Sequence, residues 1–533
     1  MTLRETILKK GTQEVNTRDS IIRNIARASK AVGLMFHNCL GPNGMNILVS
    51  DEKGDTFYAH DAHTALEAIR NNFSHPVARL IHEAVKTLDS TVGDGGKTFC
   101  IILGEALKHA ETLRDEGVRP ANIVAGFRDA VDKSIDLLEE ISIKADKSQI
   151  PKIVQTVYSR LPICEGEKSK LTQLTLDALE YVLKGKDRPD ALDIDRIKMK
   201  NKLGADISSS FLVKGLVIEK IWPGHINMPQ NISNPRIALL TAPIEVKKST
   251  LKYDYTVSPK DVLQLKRFMD GVAEMYDEAC ELLARVGASV VLSRKELHDI
   301  VLEGLAKRGI LTAYRFNDEE IEFLSKATGA KPVHNLRSIS PGDLGEAETA
   351  RRVRMGSDRW IIIDGCRNAS ACTIVLRANS YKALKMYEKA VAKCLRVVKS
   401  YLSDPRIVAG GGAAEMALAT RLRKWAMVVK DQKSLPILRF AQSLEKIPLQ
   451  LAYNSGKDGI EIISQLRSRH MSGGFNYGVT ANGEVRDMVD AGVLEPLQVK
   501  KAMLAMLREI LIQLLRIDDV VIARQMKGNV TTR

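Results

Sequence analysis

Val92-Gly93-Asp94-Gly95-Gly96-Lys97-Thr98 is the stretch that decides how this chain is read, together with Leu40-Gly41-Pro42-Asn43-Gly44-Met45 upstream. Glycines let backbone N–H groups come close to a polyphosphate, and an aspartate among them can hold the Mg2+ that accompanies it. Two such turns, about fifty residues apart, point to a phosphate and metal-ion site assembled from separate loops. Gly96-Lys97-Thr98 matches the end of a Walker A loop. That motif, however, requires glycine where this chain has Thr91. The spacing excludes a P-loop and directs the reading to another nucleotide-binding fold.

Composition narrows the class. A chain of 533 residues exceeds what one ordinary core supports, and its length predicts roughly three domains. Its 44% apolar and 27% charged content is that of a globular protein, not of a disordered one. There is no run of eighteen or more apolar residues, so no membrane span is expected. Met1 to Ser20 is polar and lacks the apolar core of a signal peptide. The seven cysteines (Cys39, Cys100, Cys164, Cys280, Cys366, Cys372 and Cys394) are odd in number and scattered, with no CxxC pair. That pattern predicts reduced thiols in a cytoplasmic protein, not a disulfide framework or a zinc site.

The formal charge of +14 comes from 79 Lys and Arg against 65 Asp and Glu, spread along the chain. Basic clusters such as Lys247-Lys248 and Arg351-Arg352-Val353-Arg354 are short and carry no interleaved aromatics. They match no nucleic-acid-binding module, and no nucleic-acid partner is expected. A solvated surface, or complementarity to acidic neighbours in an assembly, accounts for the excess.

From residue 18 to about 145 the pattern is almost wholly helical. Pro76 opens a segment in which Val77, Leu80, Ile81, Ala84, Val85 and Leu88 share one face. Pro120 opens another, with Ile123, Val124, Phe127, Ala130, Val131, Ile135 and Leu138 inward. Between about 205 and 365 short β-rich runs alternate with helices, among them Phe211-Leu212-Val213, Ile237-Ala238-Leu239-Leu240, Ala288 to Leu292 and Trp360-Ile361-Ile362-Ile363. This predicts an α/β domain inserted into a helical protein whose two ends close one discontinuous domain.

These residues carry a resemblance to the group II chaperonins over essentially the whole chain. Leu40 to Met45 resembles the family's first phosphate loop, His60-Asp61-Ala62-His63-Thr64 its N-D-G/A-x-T segment, and Gly93 to Thr98 its G-D-G-T-T-T loop. Val408-Ala409-Gly410-Gly411-Gly412-Ala413-Ala414-Glu415 resembles V-x-G-G-G-A-x-E. Asp487 to Lys500 and Leu515-Arg516-Ile517-Asp518-Asp519 are similar to its closing segments. Six motifs in order at the right separations make the resemblance specific. Pro42 to Asn46, Ala62 and Ile207-Ser208-Ser209-Ser210 are most similar to the theta-subunit family of the eukaryotic cytosolic chaperonin, CCT (TRiC).

The resemblance implies an α+β multidomain chaperonin fold. It implies a mostly helical equatorial domain from residues 1–145 and 401–533, a hinge-like intermediate domain from 146–212 and 366–400, and an inserted α/β apical domain at 213–365. It further implies ATP and Mg2+ as cofactors, other chaperonin subunits in a double ring as partners, and unfolded clients of actin- and tubulin-like kind. A helical protrusion belongs at Lys247 to Met275, where Val262, Leu263, Leu265, Phe268 and Met269 keep helical spacing. The apolar, β-branched Val520-Val521-Ile522-Ala523 reads as an edge strand that pairs with a neighbouring subunit.

The resemblance also assigns a site. Gly41, Pro42, Asn43, Gly44, Gly95, Gly96, Lys97, Thr98, Gly411 and Glu495 match nucleotide-contacting positions, and Asp94 matches the Mg2+ ligand. Asp61 matches one of two carboxylates that orient the attacking water. The position of the second is taken by Lys393, two residues before Leu395-Arg396-Val397-Val398-Lys399. A lysine of ordinary pKa accepts no proton at neutral pH. Gly96 and Lys97 replace two phosphate-loop threonines, and Arg160 stands at a γ-phosphate-sensing lysine. Two functions follow as expectations. One is an ATP-binding ring subunit that assists folding, its own hydrolysis slow or absent. The other is a chaperonin-like assembly scaffold that does not hydrolyse ATP.

Overall fold

A computed structural model of the chain describes residues 13–14, 18–50, 56–73, 75–183, 193–219, 227–244, 262–356, 358–366, 371–517 and 521–522. Its α-helices, in chain order, are α1 (Arg18–His37), α2 (Ala62–Ala68), α3 (Pro76–Thr91), α4 (Gly96–Asp115), α5 (Pro120–Ile141), α6 (Ile150–Ser159), α7 (Glu165–Leu183), α8 (Val262–Arg285), α9 (Asp299–Lys307), α10 (Asp318–Thr328), α11 (Tyr381–Ser403), α12 (Ala413–Val428), α13 (Ser434–Asn454), α14 (Gly459–Met471) and α15 (Leu497–Leu515). The chain forms two compact units, one of Met1–Thr172 with Lys389–Arg533, the other of Gln173–Glu388. Together they make a multidomain α+β fold.

In the first unit α4 is the central helix. Phe99, Cys100, Ile101, Ile102 and Leu103 are consecutive and all buried, so it is apolar on every side, as a core helix must be. It packs against α1 and α13, while α5 packs against α13 and α15. α3 starts at Pro76, whose missing N–H costs nothing at a helix's first position, and the His75 ring accepts a hydrogen bond from the Val77 N–H at 3.3 Å. Val77, Ile81, Ala84, Val85 and Leu88 are buried as their spacing predicts. Leu80 is not: it is 39% exposed, because it lies roughly 100° round the helix from the middle of the buried arc. The helical reading of residues 18–145 also omitted an antiparallel hairpin, Ile47–Ser50 with Thr56–Ala59.

Among its described residues the second unit holds three sheets. In one, Leu311–Tyr314, Val290–Ser293, Arg236–Leu240 and Pro332–Val333 run parallel, with Gly345–Glu346 antiparallel at the Arg236–Leu240 strand. The strand period of two sends alternate residues to opposite faces. Ile237, Leu239, Val290 and Leu292 join Ile321, Leu324 and Ala327 of α10. Ala238, Leu240 and Val291 join Tyr276, Cys280 and Leu283 of α8 and Val301, Leu302 and Leu305 of α9. Both faces are covered, which is why these strands are continuous apolar runs. The second sheet is antiparallel, in the order Gly215–Glu219, Asp358–Asp364, Thr349–Met355, Asn231–Ser233. In the third, Cys372–Ala378 lies between Ile197–Leu203 and Phe211–Val213.

Of the protrusion expected at Lys247 to Met275, residues 247–261 lie outside the described residues, and residues 262–275 are the first part of α8. Of the terminal run, Val521–Ile522 is a strand that pairs antiparallel with Gln13–Glu14 of the same chain. All seven cysteines are unpaired, six of them buried and Cys164 exposed.

Candidate functional site

The predicted site residues lie in the first unit, most of them around the loop that precedes α4. Gly93 and Gly95 take positive φ of 80° and 96°, conformations that side chains with a Cβ resist. This turn delivers the chain into α4 with Gly95 as N-cap and no side chain closing the helix end. The leading N–H groups of a 20-residue helix thus begin at Gly96, Lys97 and Thr98, an arrangement suited to an anion. Space is the constraint at Gly96, where an added Cβ would meet Val85 at 3.2 Å and Ala62 at 3.3 Å.

The first loop is tied to the second. Lys97 Nζ donates to the Cys39 carbonyl at 2.6 Å, and burial lowers the Lys97 pKa to about 8. Asn454 Nδ2 donates to the carbonyls of His37 and Leu40, each at 2.9 Å. Asn43 donates to the Ala481 carbonyl at 2.6 Å. Gly41 and Gly44 complete this turn with a hydrogen bond of 3.2 Å from Gly44 N to Gly41 O, and Pro42 lies between them. Gly411 forms part of a separate turn before α12, where its carbonyl accepts from Val479 N at 2.9 Å.

Two charged clusters flank the second loop. In one, Asp94 accepts from the Gly95 N–H at 2.7 Å and is paired with Arg160. Arg160 also reaches Glu495 at 2.6 Å, and Lys500 bridges Glu495 and Glu415. Burial pushes the Asp94 carboxyl up, but Arg160 and the Gly95 N–H outweigh it and hold the group below the usual carboxylate range. Glu495 is likewise lowered, burial being overcome by Lys500 and Arg160. Glu415 keeps one buried carboxylate oxygen, Oε2, without a hydrogen-bond partner.

In the other cluster Asp61 caps α2, accepting from Thr64 N at 2.8 Å and Thr64 Oγ1 at 2.7 Å. Lys393, on α11, donates to Asp61 Oδ1 at 2.9 Å and to Asp89 Oδ1 at 2.7 Å. Burial would raise the Asp61 pKa, yet Lys393 and Thr64 bring it far below the usual range. Burial would also neutralise Lys393, and the two carboxylates reverse that and raise its pKa. Lys393 is therefore a fixed cation, and the Asp61 oxygen nearest it is already engaged.

Asp89 did not emerge from the sequence motifs. It stands in the last turn of α3, where the helix dipole disfavours a negative charge. An aspartate there signals cationic partners, and it has Lys393 together with Arg396 at 3.6 Å. Lys500 was likewise overlooked as a site residue, although it holds Glu495 in place.

ATP and Mg2+ fit these residues. The open α4 N-terminus and both glycine turns can take phosphate oxygens, and Asp94 and Asp61 are hard oxygen donors of the kind Mg2+ prefers. Arg160 pairs with one Asp94 oxygen, so a metal ion bound at Asp94 would share or compete for that carboxylate. Bound there, the metal would supply charge neutralisation of the phosphates.

This loop-built, carboxylate-rich site on a helical unit, with an α/β unit inserted in the chain, defines a chaperonin-type architecture. A family model described as the TCP-1/cpn60 chaperonin family matches residues 32–525. The chain is 36% identical over 524 residues to a thermosome subunit alpha of Archaeoglobus fulgidus, spanning 97% of this chain and 94% of the relative. It is also 36% identical to a thermosome subunit of Methanopyrus kandleri, over 98% and 95% of the two chains. A thermosome subunit alpha of Sulfolobus acidocaldarius is 35% identical over the same shares. The chain belongs to the TCP-1/cpn60 chaperonin family. Among the described residues no helix is long and apolar enough to cross a membrane.

Proposed function

We propose that this chain is one subunit of a cytoplasmic double-ring group II chaperonin that binds Mg·ATP in its first unit and assists folding of unfolded clients. Its own hydrolysis is slow or absent. The observation that carries this reading is Lys393 lying on both Asp61 and Asp89. A water-orienting carboxylate works by accepting a hydrogen bond from the water. Here one Asp61 oxygen accepts from an ammonium group, and both accept from Thr64 or Lys393. Loss of one such group typically lowers a rate by about 10²–10⁴-fold.

The division into equatorial, intermediate and apical domains belongs to the same proposal, as do neighbouring subunits that supply hydrolysis. Theta-type CCT identity rests on Pro42 to Asn46, Ala62 and Ile207 to Ser210, and actin- and tubulin-like clients on family resemblance alone. A non-hydrolysing scaffold is the second reading, favoured by Lys393. Retention of Asp61, Asp94 and both glycine loops weighs against it, since a pure scaffold has no physical use for them. Native mass spectrometry of the assembled complex, reading subunit identity and nucleotide content, separates the two. Nucleotide retained by this subunit supports the ATP-binding ring subunit, and rings lacking nucleotide on it support the scaffold.

A further inference from the structure

Beside this site, on α2 and α3, stands a second group of metal-ligating side chains that nucleotide chemistry does not use. His63 and Glu67 are four residues apart on α2, hence on one face of the helix. His82 comes from α3, which packs against α2. One ligand atom from each of the three lies within 4.8 Å of the other two. His82 Nε2 is 2.7 Å from Glu67 Oε2, and the His63 and His82 rings are stacked at 6.2 Å with 19° between their planes.

We propose that His63, Glu67 and His82 form a binding site for a divalent transition ion of the zinc type. Two imidazoles and one carboxylate are the ligand set of an open three-protein-ligand zinc site, and imidazole discriminates against Mg2+. Tetrahedral zinc with bonds of about 2.0–2.1 Å places its ligand atoms about 3.3 Å apart. From the present separations no pair of ligand atoms needs to close by more than roughly 1.5 Å, and the His82–Glu67 pair at 2.7 Å needs to open by about 0.6 Å, changes within reach of side-chain rotation. Each ring also has an outer carboxylate at hand. Asp89 Oδ2 lies 3.5 Å from His63 Nδ1, and Glu83 Oε1 lies 3.4 Å from His82 Nδ1. Such partners orient metal-binding histidines.

Burial is graded in a way that suits an ion entering from solvent. The His82 side chain is 5% exposed and the Glu67 side chain 38%. The buried ring forms the floor of the site, and the carboxylate closes it from outside. A bound ion would join α2, whose N-cap is Asp61, to α3, whose last turn carries Asp89. The site is independent of whether Lys393 slows hydrolysis.

The test is titration of the full-length chain with Zn2+, and separately with Co2+ as a spectroscopic probe, in excess Mg2+ and without nucleotide. One ion should bind per chain, and the Co2+ form should show the visible bands of tetrahedral coordination. His63→Ala and Glu67→Gln should each weaken binding by more than the roughly 10–100-fold typical of losing an outer-shell partner. Asp94→Asn should leave Zn2+ affinity unchanged. His82→Ala removes a buried ring, so the half-buried Glu67 position carries the test if that variant fails to fold. Absence of Zn2+ binding in excess Mg2+, or binding indifferent to both His63→Ala and Glu67→Gln, overturns the proposal.

Discussion

Replacing Lys393 by methionine removes the ammonium group while keeping a long unbranched side chain, and it exposes the energetics of the cluster directly. At an effective dielectric constant of about 20, each contact is worth roughly 6 kcal/mol of gross attraction at the separations of 2.9 and 2.7 Å. Most of that offsets the desolvation of the lysine. What the variant suffers is two carboxylates, 22% and 14% exposed, left facing each other without Lys393, with Arg396 at 3.6 Å remaining to Asp89. Breaking a buried pair by deleting one partner costs about 3–5 kcal/mol, and partial exposure places this case at the lower end. Urea unfolding at fixed protein concentration should show a lower midpoint with an unchanged slope.

The pH dependence has a defined sign. Asp61 and Asp89 are lowered in the folded protein, so their contribution is complete above the unfolded-state pKa of about 3.9 and is lost as pH falls through the folded values. In Lys393→Met the cation is gone and protonation of either carboxylate relieves the repulsion. The deficit relative to the unmodified chain should be largest at pH 7 and shrink below about pH 4. A deficit under about 1 kcal/mol at pH 7, the range of a surface pair, or one that grows on acidification, refutes the reasoning.

Asp94→Ala should weaken Mg·ATP binding in titration calorimetry, since the metal loses a ligand, while leaving binding of Mg2+-free ATP nearly unchanged; no binding of Mg·ATP by the unmodified chain would instead favour the scaffold. Lys97, brought to about 8 by burial, should react with an amine-acylating reagent near pH 8, well before lysines of ordinary pKa of about 10.4. Mg·ATP should protect it, as read by peptide mass spectrometry. Arg160→Met deletes the partner shared by Asp94 and Glu495 and should lower the thermal midpoint in nucleotide-free buffer, with added Mg2+ recovering part of the loss.

Parts of this architecture could be read directly from residues. The α3 face follows from Pro76 and the helical period, and the parallel sheet of the second unit from its continuous apolar runs. Leu80 misled because an apolar residue at helical spacing can still fall at the edge of the arc. The hairpin at Ile47–Ser50 and Thr56–Ala59 was hidden by its brevity, since four apolar or mixed residues fit a helix as well as a strand. The glycine loops, Asp61, Arg160 and Glu495 were visible as motif positions, whereas the pairings among the charged residues were not. Arg160 meets Asp94 across 66 residues and Glu495 across 335, and no local pattern encodes such a pairing. Lys393 was legible as a departure from the expected aspartate. Its embrace by Asp61 and Asp89 needed the fold, because Asp89 lies in no motif.

The central claim is that Lys393 suppresses hydrolysis at a site still built to bind nucleotide. It is tested most directly by single-turnover ATP hydrolysis in assembled rings whose other subunits carry disabled sites, comparing the unmodified subunit with Lys393→Asp. The substitution changes the local charge by two units, and a carboxylate on α11 facing Asp61 could orient a water that the ammonium displaces. Little or no hydrolysis by the unmodified subunit, and a clear rise in the variant in the presence of Mg2+, is the predicted result; hydrolysis by the unmodified subunit at the rate of an active neighbour would contradict it.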